Sequence, residues 1–405
     1  MTRRLDPDRL HRAVDDLSHR YVDAARLPFT ITQVTQRGEV VLRHSYGFAD
    51  HERTAPIAAD AIVRIYSMTK PVTSIAMMQL VEAGHALLAN PVRRWIPELG
   101  GLSVWAGGTK EAPEVVPAER DVTLHDVLTH TAGFTTGFQY QHPLDALYRD
   151  GALGDLFQYP RYSLEEAMKL LGELPLVHQP GARWTYGMST EVVARVIEVI
   201  SGQSLDEYLT EHIFEPLGMH HTGFWADDDD RVARLTPSWT RDKGKRLRVM
   251  DSGDPGSGRT RRPHFLSGAG GLLSTLDDYQ RFCDALSGGG AAHGSRIIGT
   301  RTLEHMTTNH LPGNATTAEM AAGQSVSTAE GEGFGLGFSV MIDPALARRP
   351  SSVGEFHWGG AASTIFWIDP AEEITAIFLT QLLPSGTYPL QPQLRWAVYQ
   401  ALVDD

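Results

Sequence analysis

Residues 65–84 read IYSMTKPVTSIAMMQLVEAG, an apolar run that carries Ser67, Lys70 and Ser74. Side chains three or four apart on a helix share a face, so a helix through this run sets a hydroxyl beside an amine, with Ser74 continuing the line. The pairing suits acyl transfer: a serine hydroxyl is a weak nucleophile until a neighbouring base takes its proton. Lysine is an informative choice, because only five of the 36 basic residues are lysine. Arginine would bring charge but cannot give up a proton, whereas a lysine in a dry site can have its pKa lowered by ~3–5 units. A structural reading competes, in which Ser67 caps a helix, Lys70 lays its stem along the surface and Pro71 occupies the first turn. Catalysis asks for more: a proton acceptor, an acid for the leaving group and N–H donors for an oxyanion. Ser67 at a helix start offers its own N–H, and the rest must come from elsewhere. The G-x-S-x-G pattern of a nucleophile elbow does not occur in the chain.

The elements around this run follow from composition and periodicity. With 405 residues, 42% of them hydrophobic, the chain can bury a full core as one large unit or two interleaved domains. The formal net charge is −13, and the basic residues are scattered apart from the loop 243–262, which argues against a nucleic-acid partner. The first residues lack an apolar signal core, and no uncharged apolar run is long enough to cross a bilayer, so a soluble, cytoplasmic protein without a membrane partner is expected. Cys283, the one cysteine, cannot form an intramolecular disulfide and reads as core filling. Residues 8–24 have helical apolar spacing, after which FTITQVTQ and EVVLRHSY alternate around Arg37-Gly38 as a hairpin. Near the other end STIFWIDP and EITAIFLT flank a turn at Ala371–Glu373, and LRWAVYQALV closes the chain as an amphipathic helix. These features predict an α/β (α+β) fold with an antiparallel sheet flanked by helices and built from both termini. Residues 1–86 and 231–405 form that sheet domain, and 87–230 an inserted, mainly helical one. DDDD at 227–230 and DSGDPGSGRTRRP read as solvated loops, and LPGNATTAEMAAGQSVSTAEGEG is long enough to serve as a lid.

SMTKPVTSIAMMQLVEAG, VTLHDVLTHTAGF, PGARWTYGMSTEVVARVIEVISGQSLDEYL, SGAGGLLSTLDDYQRF, FGLGF and FHWGG together resemble, in order, the serine β-lactamase-like superfamily. The closer resemblance is to carboxylesterases that share the class C β-lactamase, transpeptidase-like fold. It implies Ser67 as nucleophile, Lys70 as its amine partner and Tyr186 of WTYGMS as the tyrosine that shares the base and acid roles. A phenol near an ammonium is easier to ionise, so such a pair can carry one proton from serine to the leaving alkoxide. Taken alone, Tyr186 would be an aromatic packing at a helix start.

Two departures shape the expected substrate. Where the β-lactamases carry Lys-Thr-Gly, this chain has His357-Trp358-Gly359-Gly360, and either His357 or Trp358 takes the lysine slot. An anchor for anionic substrates is lost, while the glycines let a backbone N–H at or next to Gly360 serve as second oxyanion donor. Two residues after Tyr186, where the family often has asparagine, stands Met188, which weakens amide recognition unless Ser189 substitutes. Phe134, Phe138, Tyr140, Tyr148, Phe157 and Tyr159 are candidates to wall an acyl pocket, although packing explains most such aromatics. His130 of LTHTAG is expected to make a structural hydrogen bond. The remaining histidines show no metal-ligand spacing and GAGG at 268–271 is no phosphate loop, so no metal and no cofactor are expected. The reading is a hydrolase of small-molecule carboxylic esters with short to medium apolar acyl chains, acting through an acyl-enzyme. Its rivals are an acyltransferase, a β-lactamase or D-amino-peptidase, and a catalytically dead binding protein on the same scaffold.

Overall fold

The computed structural model describes residues 3–151, 153–154, 161–321 and 328–404. Its centre is an antiparallel sheet of β1 (Phe29–Gln36), β2 (Glu39–Gly47), β3 (Glu332–Phe334), β4 (Ser339–Met341), β5 (Phe356–Gly359), β6 (Ile365–Asp369) and β7 (Ile374–Leu379). The order is β3-β4-β5-β6-β7-β1-β2, so strands from both ends of the chain meet at the β7–β1 ladder. Arg37 (φ 54°) and Gly38 (φ 77°) turn β1 into β2, the double left-handed geometry of a tight hairpin. The β6–β7 turn likewise falls at 370–373, between Asp369 and Ile374.

The helices that bear on the site are α1 (Pro7–Val22), α2 (Thr69–Glu82), α3 (Ser189–Ser201), α4 (Leu276–Ser287) and α5 (Leu390–Tyr399). Every residue of β1 is buried, because the sheet is covered on both faces. Strand alternation sends Val34, Trp367, Ala376 and Phe378 to one side, against Leu10, Val14 and Leu17 of α1 and Leu394 and Val398 of α5. Phe29, Ile31, Phe366 and Ile377 point the other way, against Val72 and Ile75 of α2 and Tyr279 and Phe282 of α4. Asp6 caps α1 by accepting from the Asp8 and Arg9 amides, each at 3.0 Å, and Pro7 opens the helix without wasting a donor.

α2 is buried at every position from Thr69 to Met78, as a helix apolar all round must be. It lies between the sheet and the helical segments of 87–230, and one hydrophobic cluster runs from Phe29 through α2 to Leu171 and Leu176. That stretch also holds a strand pair, Ser103–Gly108 with Pro113–Pro117, which its composition conceals: Val115 and Val116 are exposed, so no apolar alternation marks it. Cys283 is a free, fully buried thiol on α4, and burial pushes its pKa well up. Among the described residues no helix is long and apolar enough to cross a membrane.

Candidate active site

A short 3-10 turn, Tyr66–Met68, leads into α2, and Ser67 lies in it, half-buried. Tyr66 has φ 45°, a left-handed conformation that costs a non-glycine residue about 1–3 kcal/mol. The turn is held on both sides: Ile65 N–H donates to the Leu272 carbonyl at 3.1 Å, and Tyr279 Oη donates to the Met68 carbonyl at 2.9 Å. Ser67 N–H sits at the start of the helical segment, where amides have no partner within the helix.

Lys70, buried one turn on, donates from Nζ to Ser67 Oγ at 3.3 Å and to the Ala269 carbonyl at 2.8 Å. Tyr186 Oη forms a hydroxyl–hydroxyl hydrogen bond with Ser67 Oγ at 2.7 Å. Lys70 Nζ also stands 4.6 Å from the Tyr186 ring centre, a cation–π contact. Ser67, Lys70 and Tyr186 thus converge. Ser74 does not join them: it is buried against Gly337, where a Cβ would come within 2.2 Å of its Oγ.

Tyr186 arrives just ahead of α3 inside an aromatic frame. Trp184 stacks on it at 6.3 Å between ring centres, His130 tilts on it at 5.1 Å and Trp358 at 5.6 Å. His130 makes the expected structural hydrogen bond through its backbone and not through its ring. Its carbonyl accepts from the Thr185 amide at 2.9 Å, but its ring packs in the aromatic frame with Nδ1 unpartnered among the described residues. Burial, and then Lys70, hold its pKa well below the ordinary histidine value.

The His357–Gly360 stretch resolves in register. Trp358 faces α2 and the tyrosine, so it takes the slot beside the nucleophile. His357 points to the opposite face and is not in the site: strand alternation turns it to Glu332, 3.1 Å away, and to Arg349 at 3.4 Å. Burial opposes ionisation of Glu332, but His357, Arg349 and the Ser339 hydroxyl outweigh it and hold its carboxyl well below the usual range. Gly359 pairs with Ile365 at the end of β5. Gly360 is not itself an available donor, because its N–H is spent on the Thr364 carbonyl at 2.8 Å. Its lack of a side chain matters differently: a Cβ there would meet the Ile65 carbonyl at 2.4 Å, so glycine lets the end of β5 press against the nucleophile's turn. The next amide, of Ala361, has no acceptor among the described residues.

Met188 is buried at the start of α3, and Ser189 is fully buried with its hydroxyl unpartnered, so neither offers an amide-recognising group. Of the aromatic candidates, Phe138 reaches the site, 6.4 Å from the Tyr186 ring and partly exposed. Phe134 and Tyr148 are core, and Tyr140 is 72% exposed against Arg149. Phe157 and Tyr159 lie outside the described residues, as do 322–327 of the segment expected to form a lid. Sequence reasoning missed Ala269, whose carbonyl holds Lys70, because a backbone acceptor leaves no mark in residue type. Trp184 and Phe334 were missed as parts of the frame, although WTYG placed the former two residues from Tyr186. Among the described residues no cluster of side chains could hold a metal ion.

Residues 14–400 match the family model described as Beta-lactamase. Protein Rv1367c of Mycobacterium tuberculosis (strain ATCC 25618 / H37Rv) is 34% identical over 367 residues, 89% of this chain and 88% of that protein. Esterase EstB of Burkholderia gladioli is 27% identical over 417 residues, covering 98% of this chain and 96% of the esterase. Among solved structures, EstCE1, described as a hydrolase with promiscuous acyltransferase activity, superposes with a TM-score of 0.80 at 23% identity. That match covers 97% of this chain and 99% of EstCE1 and extends the likeness to the whole fold.

Proposed function

The chain belongs to the Beta-lactamase family, and we propose that it is a serine carboxylesterase working through an acyl-enzyme on Ser67. The observation that carries this reading is the convergence on one oxygen: Tyr186 Oη at 2.7 Å and Lys70 Nζ at 3.3 Å from Ser67 Oγ. Ser67 Oγ attacks the ester carbonyl carbon while its proton passes to the Tyr186–Lys70 pair. The tetrahedral oxyanion accepts from the N–H groups of Ser67 and Ala361, the latter taking the role that Gly360 cannot fill. Collapse breaks the ester C–O bond, the pair returns the proton to the departing alkoxide, and water repeats the cycle to release the acid.

Esters with short to medium apolar acyl groups fit the walls better than charged amides. Trp358 and Phe138 are uncharged, Met188 stands where an amide-binding group would be, and the similarity to Esterase EstB points the same way.

The test is steady-state hydrolysis of p-nitrophenyl butyrate by the wild-type protein and Ser67→Ala. Turnover that disappears with the substitution is the expected result. Turnover that survives it, or faster cleavage of nitrocefin than of the ester, would sink the assignment. Adding a small alcohol in excess then separates hydrolysis from acyl transfer, since a transferase diverts the acyl group to a new ester.

A further inference from the structure

Five residues beyond Tyr186, on the first turns of α3, lies Glu191, 1% exposed and used by none of the steps above. Its carboxyl is engaged by one tight turn: Ser267 Oγ donates to Oε1 at 2.5 Å and the Ala269 amide donates to Oε2 at 3.3 Å. The carbonyl of that same Ala269 accepts from Lys70 Nζ at 2.8 Å. A single residue of the turn is therefore gripped by the carboxylate through its N–H and by the ammonium through its C=O.

From this geometry we infer that Glu191 is a positioning residue for the proposed reaction: it fixes the Ser267–Gly271 turn on which Lys70 hangs and supplies the negative charge that balances the ammonium. The inference rests on the esterase reading of the site. It explains a carboxyl that would otherwise be an expensive passenger in an apolar helix face, since a buried charge without a partner is strongly disfavoured. Burial pushes the Glu191 carboxyl up to about 7, against the pull of the Ser267 hydroxyl and of Lys70. The groups that face it are accounted for from each side. α2 brings Lys70; the turn brings Ser267 and the Gly268 and Ala269 amides. On α3 itself Arg195 and Glu198 pair with each other at 3.1 Å. Of the neighbouring helices, 124–128 turns Asp126 to Arg120 at 2.6 Å and 205–209 turns Asp206 to Arg262 at 2.8 Å. Lys70 is thus the charge that acts on Glu191.

The experiment is the pH dependence of kcat/KM for p-nitrophenyl butyrate in the wild-type protein, Glu191→Gln and Glu191→Asp, with each variant's folding checked by circular dichroism. Glutamine keeps the shape and an acceptor oxygen but removes the charge. Loss of a negative charge beside an ammonium favours its deprotonated form, so the limb that reports the Lys70–Tyr186 pair moves to lower pH by about one unit or more. Glu191→Asp, which keeps the charge, restores the limb toward the wild-type position. If Glu191→Gln does not fold, Ser267→Ala reads the same property: it removes a donor from the carboxylate, leaves less of it ionised and moves the limb in the same direction by a smaller amount. An unmoved limb in a folded variant, with Ser67-dependent turnover intact, overturns the role of Glu191 alone. Wild-type protein without Ser67-dependent turnover overturns it together with the esterase reading.

Discussion

On the back of β5, His357 lies among Glu332, Arg349, Glu355 and Arg395; on its front, across one pleat, Trp358 faces Tyr186 and the solitary Lys70. Both regions are buried and both hold charge, yet they hold it differently. On the back Glu355 and Glu332 each meet a guanidinium directly: Arg395 grips Glu355 Oε1 from Nε at 3.1 Å and Nη2 at 3.0 Å, and Arg349 bonds Glu332. Tyr399 adds hydroxyl bonds to Glu355 and Asp369. On the front Lys70 touches neutral groups, and its balancing carboxylate stands on the far side of a peptide unit. Direct pairing fixes protonation states and geometry, whereas pairing through a peptide leaves the amine able to trade a proton. One face of the strand is scaffold and the other is equipped for chemistry.

Breaking the front costs most in rate. Lys70→Arg keeps the charge but cannot accept a proton, and kcat is expected to fall on the order of 10⁴-fold with the melting temperature little changed. Stopped-flow or steady-state ester hydrolysis measures it; a loss of tenfold or less would mean that the amine's proton is not exchanged. Breaking the back costs stability instead. Arg395→Met strands the buried Glu355 carboxylate and should destabilise by about 3–5 kcal/mol in urea unfolding, and adding Glu355→Gln should recover part of that loss.

The two buried carboxyls also predict opposite pH slopes. The Glu332 carboxyl is held below its unfolded value, so its stabilisation is present above the unfolded carboxylate range and is lost as pH falls below about 4. Glu191 is raised to about 7, so its contribution is favourable below the unfolded value and is lost as pH rises through 7. Glu191→Gln should therefore gain up to about 3 kcal/mol relative to the wild type at pH 8, while Glu332→Gln loses stability there and flattens the acid limb. Unfolding curves at pH 3, 4, 6 and 8 distinguish the pair, the Glu332 slope falling below pH 4 and the Glu191 slope between 4 and 8, and parallel slopes would contradict the contrast. The smallest effect is expected where the faces join. Gly360→Ala drives a methyl into the Ile65 carbonyl and Thr364 Oγ1, costing about 1–3 kcal/mol and lowering kcat more than it raises KM.

Much of the site was legible because its parts sit in short local patterns. Ser67 and Lys70 are neighbours on any helical turn, and Tyr186 follows an ordered set of motifs. The hairpin at Arg37-Gly38 was legible for the same reason: strand alternation and a turn pair are read within a few residues. The face taken by His357 was not, because the two alternating residues of β5 look equally suited until the sheet's covering helices are known. Whether Gly360 or its neighbour would donate stayed open in the sequence, since only the fold shows the Gly360 N–H bonded to Thr364. Glu191 was invisible in TEVVARVIEVIS, where it reads, like Glu198, as part of the polar edge of an amphipathic helix.

What the sequence determined by itself was the chemistry available and its local spacing: a nucleophile, an amine one turn later, and a phenol ahead of a helix. Tertiary structure alone decided their convergence, joining Ser67 to Tyr186 across 119 positions and Lys70 to Ala269 across 199. It also decided which side of β5 is reactive. The reason is physical: backbone periodicity fixes neighbours within an element, but which elements meet, and on which face, is set by burying the whole apolar surface at once.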